Sequence, residues 1–206
     1  MKGKIITSRL ILKELDSCSS SDVKDLYRIF GDRNTALWAD IDPFCCPQEA
    51  RWYISSNYGT DGYTLYGVVD RETDFMVGAV QVVEREYQGV KSVTLGYAVN
   101  PYFGRRGFMT DAVKAVVEEI ISDEAVSDIT LEILPFNIPS IRLALKCGFE
   151  KYPLKKDEAE KAYIGGWRLD EYVLSRGSFS RNKDRAFLSE VNRIGREEDL
   201  YESLAA

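Results

Sequence analysis

The sequence predicts an α+β fold of mixed α/β type, and three observations predict it. Residues 63–69, 76–84 and 92–99 are rich in β-branched and aromatic side chains and are separated by short polar turns, the pattern of consecutive antiparallel strands. Residues 110–122 then set Ala112, Val113, Val116, Val117, Ile120 and Ile121 on one helical stripe, with Lys114, Glu118 and Glu119 outside it. Strand and helix follow once more at 128–134 and 139–146, so the order is not the regular alternation of a doubly wound sheet.

The remaining elements can be argued in chain order. Residues 5–15 alternate loosely and read as a first strand, and Ser19, Ser20, Ser21 and Asp22 offer caps for a helix carrying Val23, Leu26, Tyr27 and Phe30. Pro47 suits the first turn of a second helix through Ala50, Trp52, Tyr53 and Ile54. Gly148 closes the helix at 139–146, because glycine tolerates the left-handed cap. A last strand pair is expected at 161–167 and 170–174, a polar basic linker at 175–185 and a final helix at 186–204. The organisation expected is one domain over 5–176 and a C-terminal helical extension over 177–206, which would cover a sheet edge or make a homo-oligomer contact.

Composition excludes several chemistries. The chain of 206 residues has no histidine, so Ser-His-Asp and Cys-His nucleophilic sites and histidine-ligated zinc cannot be built from it. No metal site is expected. Cys18, Cys45, Cys46 and Cys147 form no C-x-x-C pair, which suits a reducing compartment. No apolar run is long enough to span a bilayer and the first seven residues have no signal-peptide core, so a cytoplasmic protein without membrane contact is expected. A net charge of −6 disfavours nucleic acid and favours a cationic partner.

Two segments carry the chemistry. The turn Pro101-Tyr102-Phe103-Gly104-Arg105-Arg106-Gly107-Phe108-Met109-Thr110 joins a strand to the best-marked helix in the chain. Unpaired amides at a helix start, at the positive end of its dipole, suit a phosphate or pyrophosphate, and glycines let the main chain approach it. Neither G-x-x-x-x-G-K-[ST] nor G-x-G-x-x-G occurs, which argues against a nucleoside triphosphatase or a dinucleotide oxidoreductase. The second segment is a strand ending at Asn137, then Ser140 at the head of a helix, then Gly148-Phe149.

Together these segments resemble the GNAT acetyltransferases, and within them the ribosomal-protein N-acetyltransferase branch, which also opens with a strand like Thr7-Ser8-Arg9-Leu10-Ile11-Leu12 and ends with an aromatic and Asp pair like Trp167 and Asp170. The resemblance runs from about residue 6 to residue 175. It implies a mostly antiparallel sheet with splayed strands, flanked by helices, and acetyl-CoA as acetyl donor. By the same resemblance the pyrophosphate would lie on Gly104, Arg105, Arg106, Gly107, Phe108, Met109 and Thr110. The pantetheine arm would run beside Val99, Asn137 would bond that arm, and Ser140 would stand near the thioester sulfur.

Departures from the family pattern sharpen the expectations. Met109 stands where the family usually has Gly or Ala and would narrow the cofactor space. A general-acid Tyr of many members aligns with Ala144, and a Glu of the branch aligns with Thr94. Ser140 and Glu84 are therefore the catalytic candidates, Ser140 as a modest donor to the leaving thiol and Glu84 as base, ahead of Glu86, Asp40, Asp42 and Glu132. The function expected is direct acetyl transfer to a primary amine, a protein or peptide N-terminus first. The alternatives are a small amine such as a polyamine or an aminoglycoside, and a non-catalytic acyl-CoA-binding module. A nucleic-acid module built on Arg176, Arg181, Lys183 and Arg185 ranks below them.

Overall fold

The structure is a computed structural model that describes residues 3–57, 62–153, 163–164 and 167–181. Its first hairpin is β1 (Lys4–Ile6) and β2 (Leu10–Glu14), where the sequence had suggested one strand. The break is local: Thr7 N–H donates to the Leu10 carbonyl at 2.9 Å and Thr7 Oγ1 accepts from Leu10 N–H at 2.8 Å, so a threonine turn folds the chain back on itself.

Three helices follow. In α1 (Ser20–Phe30), Ser19 is the cap and accepts from the Asp22 amide at 3.3 Å, as the serine run suggested. The sequence reading missed α2 (Arg33–Trp38), a six-residue helix capped by Asp32, whose Oδ1 accepts from the Thr35 amide at 2.8 Å. Helix α3 (Pro47–Asn57) opens on Pro47. Next come β3 (Tyr63–Asp70), β4 (Met76–Tyr87) and β5 (Val90–Val99), each antiparallel to its neighbour, then a 3₁₀ turn at Pro101–Phe103 and α4 (Phe108–Ile121). The chain continues through β6 (Val126–Ile133), α5 (Ile138–Lys146), β7 (Glu150–Lys151), β8 (Tyr163–Ile164), β9 (Trp167–Arg168) and β10 (Asp170–Ser175).

Among the described residues the main sheet has eight strands in the order β1-β2-β3-β4-β5-β6-β10-β7, and β5 with β6 is the one parallel pairing among them. The last strands differ from expectation: β10 pairs with β6 and β7, while β8 pairs with β9 in a separate two-stranded ribbon. Residues 176–181 are helical rather than a linker, and the Arg176 guanidinium donates to the carbonyls of Val126 and Asp123, tying the end of β10 to the turn before β6. The helix expected at 186–204 lies outside the described residues, as does the rest of the extension beyond residue 181.

Strand alternation gives the sheet two buried faces. One packs Val80, Val82, Leu95 and Leu131 against Val113, Val116, Val117 and Ile120 of α4. The other packs Leu65, Ala79 and Ala98 against Leu26, Ile29 and Phe30 of α1 and Ile54 of α3. Asp22 is 4% exposed yet satisfied, since Lys13 Nζ meets Oδ1 at 2.6 Å and the Asp16 amide meets Oδ2 at 3.2 Å, so this polar knot fixes α1 to β2.

A β-carbon at Gly78 would run into the Met109 Cε and lie 3.5 Å from the Val99 Cα. Gly78→Ala should therefore overpack the core and lower unfolding free energy by about 1 to 3 kcal/mol in urea titration. Adding Met109→Ala should recover only part of that loss, because it relieves the clash with the side-chain end and leaves the one with the Ala98 carbonyl oxygen, 2.5 Å from the added carbon.

Candidate active site

The site grows from a fork in the sheet. Parallel pairing of β5 with β6 runs from Lys91↔Val126 to Leu95↔Leu131 and stops there, although β5 continues to Val99 and β6 to Ile133. Each arm stays extended because its outer neighbour holds it: Gly78 of β4 pairs with Val99, and Asp170 of β10 pairs with Ile133. Between the arms opens a cleft of about 740 Å³, lined by Gly96 to Val99 on one side, Leu131 to Leu134 on the other, and Asn137 and Ser140 at its helical end. Val99 thus borders the cleft, where an extended chain with amide groups could pair with the unused edges.

Beyond Val99 the chain turns through the 3₁₀ segment into α4. Gly107 is the N-cap of α4 at φ 78°, a left-handed conformation that glycine adopts without strain, and no side chain caps the helix. The first helical bond is from the Asp111 amide to the Gly107 carbonyl at 3.1 Å, which leaves the amides of Gly107, Phe108, Met109 and Thr110 ahead of it without an acceptor among the described residues. By contrast α1, α2 and α5 are capped by Ser19, Asp32 and Asn137. Gly104, Arg105, Arg106 and Gly107 are exposed, and Arg105 sits at φ 62°.

The Phe103 and Phe108 rings, 6.5 Å apart, brace this turn. The Phe108 side chain is 4% exposed, with the Arg9 and Arg106 guanidinium carbons 4.6 and 4.8 Å from its ring centre. Arg9 also donates to the Arg106 carbonyl at 3.1 Å and pairs with Asp111 at 2.9 Å, so the first hairpin steadies the loop. Met109 is buried under β4 against Gly78. Its side chain is seated in the core rather than on the exposed face of the turn.

At the other helical start, Asn137 caps α5 by accepting from the Ser140 amide at 3.3 Å, and the Ser140 hydroxyl lies 2.7 Å from the Tyr97 hydroxyl. Burial holds the Tyr97 phenol well above its usual range, the Ser140 contact opposing it, so Tyr97 stays protonated. Sequence reasoning had not assigned Tyr97 a role; the strand pattern could place it on β5 but could not show that it meets α5. Ala144 is fully buried and Thr94 sits at the base of the fork, 3.1 Å from the Thr130 hydroxyl.

Glu84 is not part of this cleft. Gln81 and Val83 of β4 line the cleft, whereas Glu84 points to the α4 face with Lys91, Glu119 and Asp123. Its register partner is Val93, four residues before Tyr97 along β5. The assignment of Glu84 as base is therefore corrected on grounds of face and distance, and Glu86, beside it on β4, shares the problem. Among the described residues lining the cleft, the charged ones are Asp40 and Glu132, both acidic, and the Trp38 and Phe136 rings meet 5.8 Å apart beside it. Burial raises the Cys147 thiol to about 11, so it is a poor nucleophile.

Comparison with known proteins places the fold. A family model described as Acetyltransferase (GNAT) domain matches residues 9–150. The uncharacterized N-acetyltransferase YnaD of Bacillus subtilis (strain 168) is 25% identical over 147 residues, covering 71% of this chain and 82% of the relative. A spermidine N-acetyltransferase from Vibrio cholerae, solved with CoA and spermine, superposes with a TM-score of 0.69 at 16% identity, covering 84% of this chain and 99% of that one. The RimL ribosomal L7/L12 alpha-N-protein acetyltransferase, solved with coenzyme A, gives the same TM-score and identity over 84% of this chain and 97% of its own. With the forked sheet and the matched domain in agreement, this chain belongs to the GNAT acetyltransferase family.

Proposed function

We propose that the chain moves an acetyl group from acetyl-CoA to a primary amine by direct attack, with an α-amine at a protein or peptide N-terminus as the preferred acceptor. The observation that carries this reading is the uncapped start of α4, whose four free amides stand at the open end of the fork. These groups fit coenzyme A: main-chain donors of Gly107 to Thr110 for the pyrophosphate, the exposed turn Gly104 to Arg106 around it, and the edge at Val99 for the amide-bearing arm. Asn137 already spends its carbonyl oxygen on the α5 cap, so its side-chain amide is the group free to bind that arm. When bound, acetyl-CoA supplies an activated acyl group on a good leaving thiol.

The chain's own work is then to bind, orient and exclude water. Deprotonating an α-amine of pKa ~7.8 at pH 7 costs about 1.1 kcal/mol, against about 4.6 kcal/mol for a lysine-like amine of pKa ~10.4. A cleft without Glu84 as base suits the easier acceptor, and proximity can contribute roughly 7 to 11 kcal/mol. Asp40 and Glu132 favour a cationic acceptor approaching the cleft. A second reading rests on the same two carboxylates: a polyamine or another small polycation, as spermidine is for the Vibrio cholerae neighbour.

Thiol release measured with an α-amino peptide panel, spermidine and an aminoglycoside decides between them. An α-amine acceptor should show kcat/KM rising with pH and levelling near pH 8, whereas a polyamine acceptor should keep rising toward pH 10. Tight acetyl-CoA binding with no thiol release from any amine would overturn the transfer reading. For the cofactor site, Gly107→Val should weaken coenzyme A binding more than tenfold in calorimetry, because a branched side chain at φ 78° strains the turn. Arg9→Ala should weaken it about two- to fivefold while leaving the fold intact, since its ion pair is exposed.

A further inference from the structure

We propose that Tyr97 is a positioning residue: its phenol donates to Ser140 Oγ, which turns the serine proton into the cleft, so that the two hydroxyls act as one hydrogen-bond donor toward the sulfur of bound coenzyme A. The inference rests on the acetyl-CoA reading above. It supplies this chain with a donor at the reacting end of the cleft although Ala144 stands where a general-acid tyrosine would be.

The distances bring the two hydroxyls together and allow this proton assignment. Tyr97 Oη lies 2.7 Å from Ser140 Oγ and 3.3 Å from the Ser140 carbonyl oxygen. The first is an ordinary O–H···O separation in which either hydroxyl could donate, and the second is a longer bond from the phenol to the carbonyl; we give the shorter contact the phenol proton. A serine in the first turn of a helix often returns its own proton to a carbonyl one turn back. Here the Phe136 carbonyl takes the Ile138 amide at 2.9 Å and the Asn137 carbonyl takes the Ile141 amide at 3.0 Å. No carbonyl among the described residues receives the Ser140 hydroxyl, and both Tyr97 and Ser140 line the cleft.

The pair orients rather than ionises. A phenol is a weaker acid than a thiol, about 10 against about 8.5, and burial of Tyr97 widens the gap. Neither hydroxyl loses its proton: the pair offers a hydrogen bond to the electron pair left on sulfur as C–N formation accompanies C–S cleavage, and the amine's proton goes to solvent. A hydrogen bond to a charged acceptor is stronger than one between neutral groups, so the pair favours the thiolate over the thiol.

The test titrates the thiol of coenzyme A bound to the full-length protein, followed by thiolate absorbance in the ultraviolet, with calorimetric affinity measured in parallel. Relative to the unaltered protein, Tyr97→Phe and Ser140→Ala should each raise the pH of thiol ionisation by about one unit, and the double variant should match Ser140→Ala alone. Affinity for coenzyme A should stay within twofold, and kcat for the acetyl reaction should fall about tenfold in Tyr97→Phe with KM for acetyl-CoA unchanged. The inference is overturned if Tyr97→Phe titrates like the unaltered protein, or if the two shifts add in the double variant. Absence of any heat with coenzyme A would instead remove the acetyl-CoA reading itself, and this inference with it.

Discussion

The obligation of every buried main-chain amide and carbonyl to find a partner governs this protein. β5 and β6 meet that obligation for each other only as far as Leu95 and Leu131, and past that point each arm is satisfied on its outer side by β4 or β10. The inner edges are left with donors and acceptors facing an open space. Because those edges belong to strands locked in an eight-stranded sheet, the gap cannot close by repairing itself; it is a permanent feature of the topology. The cleft, its polar rails and its two helical starts all follow from that one interruption.

The interruption also explains the different treatment of the helix starts. α5 begins at the tip of one arm and is capped by Asn137, which fixes Ser140 beside Tyr97 of the other arm. α4 begins at the tip of the other arm and has no cap, so its dipole and four amides act outward. Arg9 reaches from the first hairpin to hold that turn through Asp111, the Arg106 carbonyl and the Phe108 ring, which links the edge of the sheet to the middle of the site. The strand opening of Thr7, Arg9 and Leu10 thus has a physical task beyond forming a strand: Thr7 makes the turn and Arg9 steadies the loop.

Much of this was legible in the sequence because it is local. The serine cap of α1, Pro47 at the start of α3, the stripe of α4 and Gly148 at φ 89° after α5 are all set by residues within a turn of where they act. What failed was nonlocal or depended on facing. Glu84 and Val83 are adjacent in sequence and look equally suitable, yet strand alternation sends them to opposite faces, and only the packing of α4 says which face is the site. The seat of the Met109 side chain could not be read because its partner, Gly78, lies 31 positions earlier. Tyr97 and Ser140 are 43 residues apart, a meeting that no periodicity encodes. Arg176 read as a loose basic tail, though it closes two carbonyls in the turn before β6.

The seating of Met109 against Gly78 has a wider consequence. The second residue of α4 is keyed into the central strand, so the height of the turn that opens α4 above the sheet is gauged by the volume of one side chain meeting the lack of another. Substitutions at this buried notch would raise or lower the start of α4 through the backbone alone, leaving every exposed residue of the turn unchanged.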